Sequence, residues 1–70
     1  MGDKIRQELG NKLKKAREQA KFTQVDVATK ANITPTYYAM IERGEVNPSF
    51  EILHKLTKIL KVKASEIFPS

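Results

Sequence analysis

The chemistry that this 70-residue chain can support is non-covalent binding through hydrogen bonds, apolar contacts and positive charge. It contains no Cys, which excludes disulfides and thiolate metal sites. His54 is the only histidine, and one imidazole cannot build a zinc site. None of the three glycines belongs to a phosphate-binding glycine loop. We therefore expect no enzyme, cofactor, metal or small-molecule substrate.

The positive charge is unevenly distributed along the chain. Thirteen Lys and Arg residues against eight Asp and Glu residues give a formal net charge of +5. This excess favours an acidic partner, with nucleic acid first and a membrane surface second. It lies in residues 1–20 and 50–70, whereas residues 21–49 contain three basic and three acidic residues. The two basic terminal segments can attract a polyanion toward residues 21–49. Contacts made by residues 21–49 themselves must come mainly from uncharged groups.

The length predicts one small domain, residues 1–70, with its core between residues 9 and 68. No apolar run approaches the roughly 18 residues of a transmembrane helix. Residues 1–20 carry charge throughout, unlike a signal peptide. We therefore expect a cytoplasmic protein without a membrane partner.

Apolar spacing and capping residues predict five helices. They cover residues 3–21, 24–31, 35–43, 50–60 and 64–68. In the first, Ile5, Leu9 and Leu13 recur every four residues on one helical face, behind Asp3 as N-cap. Gly10 is a weak point in this helix, since Gly costs about 1 kcal/mol relative to Ala.

The two middle helices are joined by only three residues. Thr23 with Asp26 three positions later is a variant capping box. Asn32 tolerates the left-handed conformation that ends a helix, and Thr34-Pro35 favours an immediate restart. This spacing is typical of a helix-turn-helix.

The fourth predicted helix carries more apolar residues than one core face needs. Ser49 caps it, and its inner face is predicted to comprise Phe50, Leu53, Leu56 and Leu60. Ile52 and Ile59 lie seven residues apart on a flank that would otherwise face solvent. With Ile67 or Phe68 they could form a small two-fold patch in a homodimer. The alternative is deeper burial of these residues within the monomer.

A helix-turn-helix places its second helix in the DNA major groove, with N-terminal residues nearest the bases. Here the expected base-contacting residues are Pro35, Thr36, Tyr37 and Met40. Tyr38 cannot share a face with Tyr37, and periodicity assigns it to the core with Ile41. The four candidates include no Arg, Asn or Gln, so recognition would rely partly on thymine methyl contacts and DNA shape. The alternatives are a merely exposed Tyr37 and a core Met40.

Six short motifs occur in order along the chain: Leu13-Lys-Lys-Ala-Arg17, Phe22-Thr-Gln24, Val27-Ala28, Ile33-Thr34, Ile41-Glu-Arg-Gly44 and Asn47-Pro-Ser49. With the tail from Val62 to Phe68, they make residues 9–68 similar to the Xre/Cro-type helix-turn-helix family of phage Cro and repressor proteins. The resemblance implies an all-α, compact five-helix lambda-repressor-like bundle. Asn32 and Lys61 stand where the family often has Gly. Lys61 therefore makes the break between the fourth and fifth helices slightly strained. The stretch Thr36-Tyr37-Tyr38 resembles the controller proteins of restriction–modification systems.

The resemblance also implies a function. It is that of a sequence-specific transcriptional regulator that binds double-stranded DNA as a homodimer and acts by occupying its operator. The alternative is a protein-interaction module, antitoxin-like or an adaptor, with the same fold.

Residue roles follow from the resemblance too. It implies that Gln24 contacts both a phosphate and a base. Further candidates for phosphate contacts are Thr23, Arg43, Asn47 and Ser49. Thr23 and Ser49 could instead serve only as caps. It pairs Arg17 with Glu42 in a mostly buried salt bridge between the first and third helices, the alternative being two separate exposed charges.

Overall fold

Five helices make up the computed structural model, which describes the backbone of residues 2–67 and the side chains of residues 4–67. They are α1 (Gly2–Gln19), α2 (Gln24–Ala31), α3 (Pro35–Glu42), α4 (Phe50–Leu60) and α5 (Ala64–Ile67). The predicted all-α fold is confirmed. The first helix begins before its expected cap, Asp3, and ends at Gln19 instead of residue 21. Within the described residues, no helix has the length and apolarity needed to cross a membrane.

All five helices contribute to one apolar core. It consists of Leu9, Leu13, Ala16, Val27, Ala28, Ala31, Tyr38, Ile41, Leu53, Leu56, Leu60 and Ile67. Tyr38 is completely buried, as the periodicity of α3 predicts. Helices α2 and α3 pack against each other and rest on α4 and α1 respectively, so the core fixes the orientation of the helix-turn-helix.

Two residues expected on inner faces are exposed. Ile5 is 55% exposed because α1 extends beyond the core, whose first member on this helix is Leu9. Phe50 is 74% exposed. The buried stripe of α4 runs through Leu53, Leu56, Thr57 and Leu60. Successive residues of a helix are rotated by about 100°, so Ser49, one turn before Leu53, lies in line with this buried stripe. Phe50 therefore lies to one side of the stripe. There its ring stacks on His54, with centroids 6.4 Å apart.

Three helices end on a non-glycine residue in the left-handed region: Lys21 follows α1 with φ 62°, Asn32 follows α2 with φ 59°, and Lys61 follows α4 with φ 56°. Asn tolerates this conformation better than Lys does. The strain expected at Lys61 is therefore present, and Lys21 adds a second case. Each left-handed residue turns the chain sharply, which keeps the connections short.

Helices α1 and α3 approach closely through two glycines. A Cβ at Gly10 would lie 2.6 Å from the Ile41 carbonyl oxygen and 2.7 Å from the Glu42 carbonyl carbon. Gly44, with φ 75°, would place a Cβ 3.0 Å from Gln7 Cα. The sequence-based interpretation of Gly10 as a weak point of the helix was therefore incomplete, because only glycine leaves room for α3 at this crossing.

Candidate nucleic-acid interface

The N-terminus of α2 is fixed by a reciprocal capping box. Asp26 N donates to Thr23 Oγ1 at 3.0 Å, and Thr23 N donates to Asp26 Oδ2 at 2.8 Å. The backbone hydrogen bond from Thr23, followed by its side chain, holds the pKa of Asp26 below its ordinary value. The Thr23 hydroxyl thus serves as a cap, and Gln24 is presented as the first residue of the helix.

The N-terminus of α3 carries the residues expected to contact bases. Tyr37 N donates to Thr34 Oγ1 at 3.0 Å, and Pro35 occupies the first turn, where its missing N–H costs nothing. Pro35 and Thr36 are exposed, whereas Tyr37 and Met40 are half-buried. Tyr37 packs partly against the core. Pro35 and Thr36 in the first turn of α3 are therefore fully accessible to a partner, whereas Tyr37 and Met40 are only partly accessible.

Three polar side chains from three helices meet at one point, which we call the three-helix junction (Arg17, Gln24 and Glu42). Arg17 Nε donates to Glu42 Oε2 at 2.7 Å, and Arg17 Nη2 donates to Glu42 Oε1 at 3.3 Å. Gln24 Nε2 donates to Glu42 Oε1 at 2.9 Å. Arg17 also donates from Nη1 to the Phe22 carbonyl at 3.0 Å, which connects the junction to the turn before α2. The structure therefore contains the ion pair implied by the family resemblance.

The junction is shielded from solvent. The Arg17 and Glu42 side chains are 12% and 3% exposed. Burial disfavours the Glu42 carboxylate, but the neighbouring Arg17, Tyr38 and Gln24 side chains, in that order, outweigh it and hold the pKa of Glu42 below its ordinary value. Burial and then Glu42 itself raise the pKa of the adjacent Tyr38 hydroxyl. The junction thus holds a full ion pair that fixes the angle between α1 and α3.

Gln24 combines this structural bond with a surface position. It is half-buried, and its Nε2 has a second hydrogen besides the one donated to Glu42. Gln24 also lines an open groove of about 580 Å³. The other residues lining it are Gln7, Asn11, Lys14, Glu42, Arg43 and Glu45. The amide is therefore oriented by the junction while one face remains open to a partner.

Arg43 does not project freely from the end of α3. Its Nε donates to Glu45 Oε2 at 2.5 Å, and its Nη2 donates to Glu45 Oε1 at 3.4 Å. The hydrogen bond to Glu45 raises the pKa of Arg43, and the same bond lowers the pKa of Glu45. Both side chains are about half exposed. The expected phosphate-contacting cation thus already has an internal carboxylate partner.

The other two candidate phosphate contacts flank the loop before α4. Asn47 is exposed. Ser49 is the N-cap of α4, where its Oγ accepts from Ile52 N at 3.2 Å. Ser49 therefore has the capping role that its position before the helix predicts.

The predicted dimer patch on α4 and the C-terminal tail contains fewer accessible residues than expected. Ile52 and Ile59 are half-buried and pack against the core. Ile67 is only 2% exposed because α5 folds it into the core, which contradicts its assignment to a surface patch. Phe68 lies outside the described residues. Among the residues that are described, no cluster of three His, Asp or Glu side chains could hold a metal ion.

Four residues of the groove were not among the expected site residues. Gln7, Asn11 and Lys14 follow one another at spacings of four and three on α1. Such a spacing places them on one helical face, a signal available from the sequence. Glu45 was missed because nothing in its spacing from Arg43 distinguishes a bonded pair from two solvated charges.

Comparison with known proteins gives consistent matches. Residues 13–67 match the family model described as Helix-turn-helix (HTH_3). The chain is 39% identical over 59 residues to the immunity repressor protein of Bacillus phage phi105, covering 84% of this chain and 41% of the repressor. It is 38% identical over 65 residues to the control protein C.MunI of Mycoplasma sp, covering 91% and 88% of the two chains.

A solved structure agrees with these sequence matches. The restriction-modification controller protein C.AhdI from Aeromonas hydrophila superposes with a TM-score of 0.85 at 25% identity, covering 90% of this chain and 96% of C.AhdI. The chain therefore spans less than half of the phage repressor but most of each control protein.

Proposed function

The chain belongs to the Xre/Cro-type helix-turn-helix family of non-enzymatic, DNA-binding transcriptional regulators, and we propose that it binds one specific duplex sequence as a homodimer. On this proposal it acts in the cytoplasm by occupying an operator, through a single domain spanning residues 1–70. The matches to C.MunI and C.AhdI support a controller-like protein in particular.

The observation that carries this proposal is the exposed first turn of α3, held in place by the buried three-helix junction. Pro35 and Thr36 face solvent at the end of a helix whose other end is fixed through Glu42. Sequence is discriminated by side chains that reach base edges in the major groove, and discrimination requires the helix to keep one angle. A locked helix with an exposed N-terminal turn meets both requirements.

We assign base contacts to Gln24, Pro35, Thr36, Tyr37 and Met40. Phosphate contacts are assigned to Thr23, Gln24, Arg43, Asn47 and Ser49. Thr23 and Ser49 use their hydroxyls as caps, so they would approach phosphates through the backbone N–H groups of their helix N-termini.

The homodimer is proposed because one such domain contacts few bases. Paired half-sites about one helical turn apart are the usual solution of helix-turn-helix proteins. On α4, Ile52 and Ile59 remain the candidate contacts, since both are only half-buried on the same flank. Ile67 has no part in this surface.

Selection of binding sites from random duplex DNA at two salt concentrations tests the proposal. We expect enrichment of a two-fold symmetric sequence whose half-sites lie about 10 base pairs apart. Enrichment of a single asymmetric half-site would contradict the homodimer. Absence of any enrichment would exclude the proposed function and favour the alternative, a protein-interaction module with this fold.

A further inference from the structure

The Arg43–Glu45 ion pair lies in the groove beside α3. Residues 21–49 contain three cations: Lys21, Lys30 and Arg43. Lys30 lies on α2 with its Nζ 5.4 Å from the centroid of the Phe22 ring, and Lys21 is in the turn after α1. Arg43 and Gln24 line the same groove. Of the three cations in residues 21–49, Arg43 is therefore the one placed to contact the DNA phosphates beside Gln24.

The position of Glu45 is fixed by the backbone. Gly44 N donates to the Ile41 carbonyl at 3.1 Å, and Glu45 N donates to the Met40 carbonyl at 2.9 Å. These bonds close the end of α3 with Gly44 in the left-handed region. The turn brings residues 43 and 45 together on one side, so that the carboxylate meets the guanidinium with two hydrogen bonds.

The pair is held loosely enough to exchange. The two side chains are 56% and 49% exposed, and exposed ion pairs contribute little to stability. Arg–phosphate and Arg–carboxylate bonds use the same bidentate geometry. A phosphate that enters the groove therefore competes directly with Glu45 for Arg43.

We propose that Glu45 is an internal competitor for Arg43 that weakens phosphate binding and so makes recognition depend more on the bases. The inference rests on the proposed DNA-binding function. A phosphate contact strengthens binding to every sequence alike, since it carries no sequence information. Masking Arg43 therefore lowers only the sequence-independent part of the affinity, which supplies essentially all of the binding to non-cognate DNA but only part of the binding to the cognate site.

Glu45→Gln tests the proposal by removing the carboxylate charge while keeping a similar shape. On the selected duplex we expect binding to tighten about two- to fivefold per subunit, the range set by loss of an exposed ion pair. On a non-cognate duplex the gain is at least as large. The slope of log affinity against log salt becomes steeper by about 0.9 per subunit, as one phosphate is newly neutralised.

Two controls separate this effect from a general change in charge. Glu66→Gln makes the same charge change at an exposed position on α5, away from every assigned DNA contact, and we expect a smaller gain without the change in slope. Arg43→Gln should abolish the gain from Glu45→Gln when the two are combined. Equal gains in Glu45→Gln and Glu66→Gln, or a gain that persists without Arg43, would overturn the proposal. Those results leave the proposed function intact, whereas failure of the unmodified protein to select any duplex removes both.

Discussion

Replacing Glu42 with Ala is expected to lower the free energy of unfolding by about 3–5 kcal/mol, the usual cost of removing one partner of a buried ion pair. The substitution removes the carboxylate partner of Arg17, whose side chain is only 12% exposed in the unmodified protein. It also removes the acceptor of the Gln24 amide. In a 70-residue domain a loss of this size shifts the melting temperature by well over 10 °C. Urea denaturation followed by circular dichroism measures it.

The exposed pair on the same groove provides a matched control. Glu45→Ala also removes a carboxylate from an arginine, but at a side chain that is 49% exposed, so the loss should stay below about 1 kcal/mol. Similar small losses for both variants would show that the three-helix junction does not stabilise the fold. Glu42→Gln keeps an oxygen that can accept from Arg17, so its loss of unfolding free energy should lie between those of Glu42→Ala and Glu45→Ala. It provides a measurable variant if Glu42→Ala does not fold.

The junction also gives stability a defined pH dependence. The pKa of Glu42 is lower in the folded chain than in the unfolded one, where its ordinary value applies. Its contribution is therefore present above the unfolded pKa and is lost as the pH falls through the folded pKa. Acidification should accordingly destabilise the unmodified protein more than Glu42→Gln.

Replacing Thr36 with Glu is expected to weaken binding to the selected duplex about 100-fold, the upper range for lost base contacts. The new carboxylate would face base-edge acceptors and lie close to phosphates. The fold should not suffer, since the first turn of α3 has no acidic residue and a negative charge there is favourable. An unchanged or raised melting temperature together with lost binding would assign Thr36 to DNA recognition. Fluorescence anisotropy with labelled duplex measures the binding.

A chemically identical change elsewhere controls for charge. Thr29 is exposed on α2, and Thr29→Glu should reduce affinity only by the few-fold effect of one added negative charge. Equal losses in the two variants would mean that charge alone acts, and binding that survives Thr36→Glu would remove α3 from the interface. Gln24→Glu is a poorer probe because it places a second carboxylate against Glu42 in the junction.

Local signals predicted most of the fold. Thr23, Thr34 and Ser49 all cap helices in the structure, because a cap depends only on neighbours in sequence. The exposed Phe50 and the buried Ile67 were missed for a different reason. Each lies at a helix end, where a few degrees of rotation or one extra turn decides burial, and that rotation depends on how helices pack.

The site could be predicted only in part. The family resemblance implies the ion pair between Arg17 and Glu42, but the participation of Gln24 requires three helices to converge. The approach of α1 to α3 at Gly10 is likewise a tertiary effect. Glu45 was missed because its contact with Arg43 depends on the left-handed Gly44 between them.

The salt dependence of binding to the selected duplex distinguishes a neutral DNA interface from a basic one, because residues 21–49 carry no net charge and Arg43 is paired with Glu45. If uncharged side chains and backbone amides hold the DNA, few phosphates are neutralised. We then expect a slope of log affinity against log salt of about −2 to −4 for the dimer, at about −0.9 per neutralised phosphate. A slope of about −8 or steeper would contradict the account and place the interface on the lysine-rich ends of the chain.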